Sequence, residues 1–255
     1  MIHHVIQAMN QFTEIKSVDS RFDFPCPVCW FGNLDTKKPL ILTMGINPSD
    51  KEFLHQDTGF KCFRGLRNNS ITPQSIIDAF NNYFHREPYT HWFNAQQKLL
   101  CPLNASYYND VDTDYQLVHI DLFPFATSPK WAKLSLTPQF KSLLFDYGLQ
   151  LIADIIAKYE PKLILSFGGF NDKVSAFRNY WRESFSLEDH GKYPKNDKTE
   201  KLKSRKIATG TVEINKRRTP IIFSTAVVAD ANRINAFDEH MNYMLDLAKK
   251  VLAES

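Results

Sequence analysis

Four short apolar runs, the first three closed by Gly or Pro, limit what this chain can fold into. They are Leu40 to Met44, Leu117 to Leu122, Lys162 to Phe167 and Pro220 to Thr225. The runs are apolar more than alternating, and helical patterns separate them. Strands of that kind have to be covered on both sides, which in alternation with helices specifies a parallel sheet between two helical layers. The sequence therefore predicts an α/β fold, a three-layer sandwich with a four-stranded parallel sheet.

The helices follow from spacing and start signals. Residues 1 to 20 carry Val5, Met9 and Phe12 on one stripe. Pro73 opens a helix with Ile76, Ile77, Phe80 and Phe84 at helical intervals, and another runs from His91 to Leu100. Thr137-Pro138 begins the longest, Gln139 to Tyr159, whose apolar face is formed by Leu143, Leu144, Tyr147, Leu151, Ile152, Ile155 and Ile156. A helix starts near Asn171, and a last one covers Asn235 to Leu252. Thr209-Gly210 predicts a hairpin within Lys206 to Ile214. The polar, Gly-punctuated stretch from Ser49 to Asn69 is expected to be a loop lining a site.

No Pro/Gly/Ser-rich linker divides the 255 residues, so a single domain over 1-255 is expected, with an N-terminal helical extension (about 1-37) and a basic insertion (about 186-218). Apolar residues make up 43% of the chain, with 20 Phe, enough for a core under two helical layers. No run of eighteen apolar residues and no charged-then-apolar leader pattern occurs, so a soluble, cytoplasmic, monomeric protein without a membrane partner is expected. The total charge of +3 is uneven: Lys192 to Arg218 holds ten Lys/Arg against three acids, +7, leaving −4 on the rest. Such a block suits a polyanion, and a solvated loop would look the same.

Cys26, Cys29, Cys62 and Cys101 are too few and too spread for a disulfide scaffold. Cys26-Pro-Val-Cys29 has the spacing of a metal knuckle but lacks a second close pair, so buried reduced thiols are expected and no cofactor.

In open parallel sheets ligands bind beyond the carboxyl ends of the strands. The residues there are Asn47, Asp121, Gly168 and the run after Thr225. Gly45-Ile46-Asn47-Pro48 alone also suits a structural turn. MGINPS, followed by Thr58-Gly59-Phe60 and by a long helix entering YEPKLILSFGGF, resembles the uracil-DNA glycosylase superfamily over about residues 38 to 235. The mismatch-specific and thymine-DNA glycosylase branch is the most similar.

The resemblance implies hydrolysis of an N-glycosidic bond after the target nucleotide leaves the base stack. Asn47 would position the attacking water. Gly45, Ile46 and Pro48 would shape the base pocket, and Phe60 would stack on the extruded base. DNA would be the partner, with Lys203, Arg205, Lys206, Lys216, Arg217, Arg218, Asn232 and Arg233 toward its backbone.

Two departures stand out. Where many members of the superfamily carry an Asn that reads uracil, LVHIDLFPF places Asp121, a group that accepts from the 4-amino group of cytosine and, as the acid, donates to N3. A cytosine or modified cytosine base is therefore expected, in repair or in defence against phage DNA. After the fourth strand, STAVVADANR replaces the superfamily's His- or Asn-led motif, leaving the Thr225 hydroxyl as the donor there. His119 reads as a hydrogen-bonded core histidine. The alternative class is a non-catalytic nucleic-acid-binding or nucleotide-sensing protein on the same fold.

Overall fold

The computed structural model describes residues 1–55, 61–66, 71–108, 111–193, 205–225 and 238–254. Its centre is β1 (Leu40–Gly45), six residues long and buried throughout. β1 pairs in parallel with β5 (Tyr115–Asp121) on one side and β6 (Leu163–Phe167) on the other, and β6 pairs in parallel with β9 (Arg217–Ser224). The four apolar runs thus lie side by side in the order β5-β1-β6-β9.

The sheet does not stop at four strands. Among the described residues it has seven, because β4 (Ala105–Ser106) adds to β5, while β8 (Arg205–Ile214) and β7 (Phe185–Tyr193) continue antiparallel from β9. The expected hairpin is also displaced. Gly210 sits in mid-strand opposite Ile221 and Leu187, and the chain reverses at Asn215 and Lys216, both at positive φ. Gly210 is needed for packing instead, since a Cβ there would stand 2.8 Å from the Ser186 carbonyl oxygen. Charged residues in an antiparallel ribbon with a wet face do not produce the apolar run that marks a buried parallel strand.

Two layers of helix enclose the parallel strands. Phe223 and Ser224 are neighbours on β9 and so point to opposite faces. α6 (Phe170–Trp181) covers the first face, with Phe177 5.6 Å from Phe223 between ring centroids. α7 (Asp238–Glu254) covers the second, where His240 Nε2 and Ser224 Oγ are 2.8 Å apart. α4 (Thr90–Leu100) joins α7 on that face through Phe93 against His119, a strand residue that register places level with Thr43, Leu165 and Ile222. α5 (Pro138–Tyr159) begins at Thr137, whose side chain accepts from the Phe140 N–H, and ends at Glu160 in the left-handed region. α2 (Pro73–Asn81) opens on a reciprocal capping box between Thr72 and Ser75.

Two stretches read as peripheral contribute structure. The loop expected from Ser49 to Asn69 contains a small antiparallel pair, β2 (Phe53–His55) and β3 (Lys61–Phe63). α1 (Ile2–Val18) buries Val5, Ala8, Phe12 and Ile15, and the segment after it ties to the β5 edge by reciprocal bonds between Phe31 and His119 of 2.8 and 2.9 Å. Among the described residues no helix is long and apolar enough to cross a membrane.

α5 approaches β5 closely at Gly148, where a Cβ would lie 1.7 Å from the Leu122 carbonyl oxygen. Gly→Ala inside a helix normally stabilises by up to about 1 kcal/mol. Here Gly148→Ala is expected to destabilise by roughly 1–3 kcal/mol, because backbone must move; a urea melt showing equal or greater stability would refute this packing.

Candidate functional site

The carboxyl ends of β1 and β5 bring a carboxylate against a glycine. Gly45 is in register with Asp121, and a Cβ on Gly45 would stand 2.1 Å from Asp121 Oδ1 and 3.1 Å from His119 Nε2. Only glycine leaves room for the acid to fold over the end of β1. Asp121 is 5% exposed and His119 3%. Beyond the strand the pairing continues, with Leu122 N–H donating to Gly45 O and Phe123 N–H to Ile46 O. The turn that carries Asn47 is therefore held by the chain that carries Asp121.

Asn47 is half-buried, and its amide is oriented by three contacts. Nδ2 donates toward Pro48 O at 3.2 Å, Phe125 O at 3.3 Å and Thr127 Oγ1 at 3.2 Å. Among the described residues no hydrogen bond reaches Oδ1. An amide held by its nitrogen presents its oxygen as an acceptor, which is what aiming a water requires. Ile46 is half-buried against Gly169, and Pro48 is buried.

Three groups surround Asp121, and two of them, Lys173 and Glu52, were passed over in reading the sequence. Lys173 of α6 is fully buried, with Nζ donating to Met44 O at 2.6 Å and Phe167 O at 2.9 Å, so one ammonium ties the tips of β1 and β6. Burial pulls its pKa down to about 7, against the opposing field of Asp121. Glu52, in the turn before β2, is buried and takes a very short hydrogen bond from the Tyr83 hydroxyl, which itself accepts from Tyr89 N–H at 2.7 Å. Burial raises the Glu52 carboxyl to about 8, with the charge of Asp121 adding to the rise and Tyr83 and Arg64 opposing it. The third is His119, whose Nδ1 lies 2.8 Å from Thr43 Oγ1 and whose Nε2 lies 3.5 Å from Asp121 Oδ1. Helical spacing hides Lys173 and loop composition hides Glu52. The signal available for His119 was its two-residue offset from Asp121, which puts both on one sheet face.

The remaining expected residues divide. Thr225, at the end of β9, accepts from Lys206 N–H at 2.9 Å and returns a bond from its own N–H to Lys206 O at 3.1 Å. Lys206 Nζ lies 6.0 Å from the Phe170 ring centre, near the same edge. Lys216, Arg217 and Arg218 are not brought to the site. They occupy the β8–β9 turn and the start of β9, seven residues before Ser224, or about 23 Å along the strand at roughly 3.3 Å per residue. Arg217 pairs there with Glu160, and Arg218 lies 3.6 Å from Glu213. A block continuous in sequence is split because β8 and β9 are antiparallel. Phe60, Lys203, Asn232, Arg233 and the side chain of Arg205 lie outside the described residues.

Cys26 and Cys29 are buried, and burial raises both thiols, Cys26 to about 12. Cys101 is exposed. Among the described residues no three His, Cys, Asp or Glu side chains are arranged to hold a metal ion. A cavity of about 1220 Å³ opens elsewhere, between the β7–β9 ribbon and the ends of α5 and α7, lined in part by Glu160, Glu188, Arg217 and Lys250. It lies at the amino ends of the parallel strands, away from Asn47 and Asp121. Among known proteins, no family model and no curated protein matches the chain.

The buried acid and amine act on stability with opposite signs. The folded Glu52 pKa lies above its ordinary 4.5, so its contribution is full below that value and is lost as pH rises through about 8. The folded Lys173 pKa lies below its ordinary 10.5, so its contribution is full above that value and is lost as pH falls through about 7. Glu52→Gln is expected to flatten the fall in stability between pH 4.5 and 8 by a few kcal/mol, on the order of 1.4 per pKa unit. Chemical denaturation at pH 5, 6.5 and 8 reads this directly, and parallel curves for wild type and variant would rule it out.

Proposed function

We propose that the protein is a DNA glycosylase on a uracil-DNA glycosylase-like fold, hydrolysing the bond between sugar and base of an extruded nucleotide whose base is a cytosine or modified cytosine. The observation that carries this reading is the pairing at the strand tips. Asn47 carries an amide oriented by its nitrogen, its oxygen taking no hydrogen bond from the described residues, and Asp121 packs over Gly45 two residues away on β1.

In this reading Asn47 Oδ1 accepts from a water and holds it for attack on C1′. The C1′–N1 bond breaks as the C1′–O bond forms, and the sugar passes through oxocarbenium character that asks little of the nucleophile. The water's proton passes to solvent, and the base leaves with the electron pair of the broken bond. Asp121 accepts from the 4-amino group and so distinguishes cytosine from uracil, whose O4 is itself an acceptor. The four parallel strands in the order β5-β1-β6-β9 support the reading at the level of fold, since they put both residues at the ligand-binding edge. DNA backbone would run along that edge, near Lys206, and the cluster at Lys216 to Arg218 would lie off it.

The test is formation of abasic sites in single- and double-stranded oligonucleotides carrying cytosine, uracil or modified cytosine. Asn47→Ala is expected to reduce the rate by about 10²-fold or more, within the range for loss of one preorganised polar group. Asp121→Asn is expected to move preference from amino-bearing toward oxo-bearing bases. Oligonucleotide binding with no abasic product from any of these bases would favour a nucleotide-sensing protein instead.

A further inference from the structure

Behind Asp121 runs a chain of polar side chains that the proposed reaction does not itself call for. Gln96 Oε1 accepts from the Tyr107 hydroxyl at 2.6 Å, Tyr107 lies 2.7 Å from Thr43 Oγ1, and Thr43 lies 2.8 Å from His119 Nδ1. All four are at most 3% exposed. Rings of Phe31, Phe84 and Phe93 surround them, with centroids 4.7 to 5.6 Å from Tyr107 or His119. Placing four linked polar groups in an aromatic core costs stability unless each is satisfied. At one end Gln96 Nε2 is buried with no hydrogen-bond partner among the described residues, and at the other His119 Nε2 approaches Asp121 Oδ1 to 3.5 Å.

That end constrains Asp121. Thr43 holds the imidazole by Nδ1, so the ring cannot turn and Nε2 has to face the acid. The Tyr107 hydroxyl gives its proton to Gln96 Oε1, so Thr43 donates to Tyr107 and His119 Nδ1–H to Thr43, and one proton stands between Nε2 and Oδ1, since two lone pairs would otherwise confront each other. Among the described residues the charge of Asp121 acts on Glu52, Lys173 and the Tyr107 phenol. Neither Glu52 nor Lys173 takes the place of His119 at Oδ1: Glu52 is bonded to Tyr83, and the Lys173 ammonium to two backbone carbonyls.

We infer that His119, locked by Thr43, Tyr107 and Gln96, is a specificity-determining residue that occupies Oδ1 of Asp121 and leaves Oδ2 with lone pairs only, so that the strand tips take bases bearing an exocyclic amino group and reject their oxo counterparts. The inference rests on the glycosylase reading above and deepens it. An unaccompanied acid can place its proton on either oxygen and serve as donor or acceptor. One that shares a single proton with a histidine at Oδ1 serves the substrate at Oδ2 as an acceptor alone.

The experiment measures excision from matched oligonucleotides carrying cytosine or uracil at one position, for wild type, Thr43→Val, His119→Phe and His119→Gln, with thermal melts on each. Wild type is expected to favour cytosine by tenfold or more. Thr43→Val, close in volume, and His119→Phe are expected to lower that ratio at least tenfold, while His119→Gln, whose amide N–H can still donate to Oδ1, restores part of it. Tyr107→Phe breaks the chain one link further away and, should Thr43→Val fail to fold, is read in its place, with a smaller fall in the ratio expected. A ratio unchanged in folded Thr43→Val or Tyr107→Phe, with excision intact, overturns the role of His119 and leaves the glycosylase standing. Absence of abasic product from wild type on every oligonucleotide removes both together.

Discussion

The contact on which the site depends is the packing of the Asp121 carboxylate over a residue with no side chain. Parallel pairing puts Gly45 opposite Asp121, and any Cβ on Gly45 would fall within 2.1 Å of Oδ1. The missing methyl lets the acid lie against the end of β1 and meet His119 from the same strand. It also lets the chain beyond Asp121 run close enough to hydrogen-bond Gly45 and Ile46, which sets where Asn47 emerges. Glycine's tolerance of close approach thus brings together Asn47 and Asp121, side chains from sequence positions more than seventy residues apart.

The ionisable groups around that contact carry a cost, and each is offset in a different way. Glu52 is relieved by a phenol and by holding its proton to about pH 8, Lys173 by two strand carbonyls, and His119 by a hydroxyl chain reaching into the core. A fold selected for stability alone would fill this space with apolar side chains, because buried ionic groups are often replaced by hydrophobic ones with no loss. Their concentration at the carboxyl ends of the central strands, and not along the sheet at large, is the pattern expected of a site whose chemistry needs controlled protons.

Much of the parallel core was legible in the residues. Continuous apolar runs located β1, β5, β6 and β9, three of them closed by Gly or Pro, and Thr137-Pro138 located the start of α5 to within a residue, while the helix expected from Pro73 through Phe84 breaks after Asn81. The antiparallel extension was not legible, because β7 and β8 are half-wet, rich in charge and bent by a bulge between Asp189 and Lys192. Thr209-Gly210 looked like a turn because glycine in a strand and glycine in a turn leave the same local signal; the Ser186 carbonyl that excludes a side chain at Gly210 comes from the neighbouring strand. Lys173 was not singled out, because nothing local to a lysine in the first turn of a helix says that its ammonium reaches two strand ends.

The sequence by itself determined the order of strands and helices, the parallel character of the core and the placement of Asn47 and Asp121 at strand ends, because burial on two sides writes itself into consecutive side chains. Tertiary structure alone decided which residues gather around the acid and which of the basic residues lie near it. His119, Thr43, Tyr107 and Gln96 meet through strand register and helix docking, and the basic block is divided by the reversal between β8 and β9. Contacts of that kind depend on where separate segments are carried in space, and side chains adjacent in sequence hold no record of it.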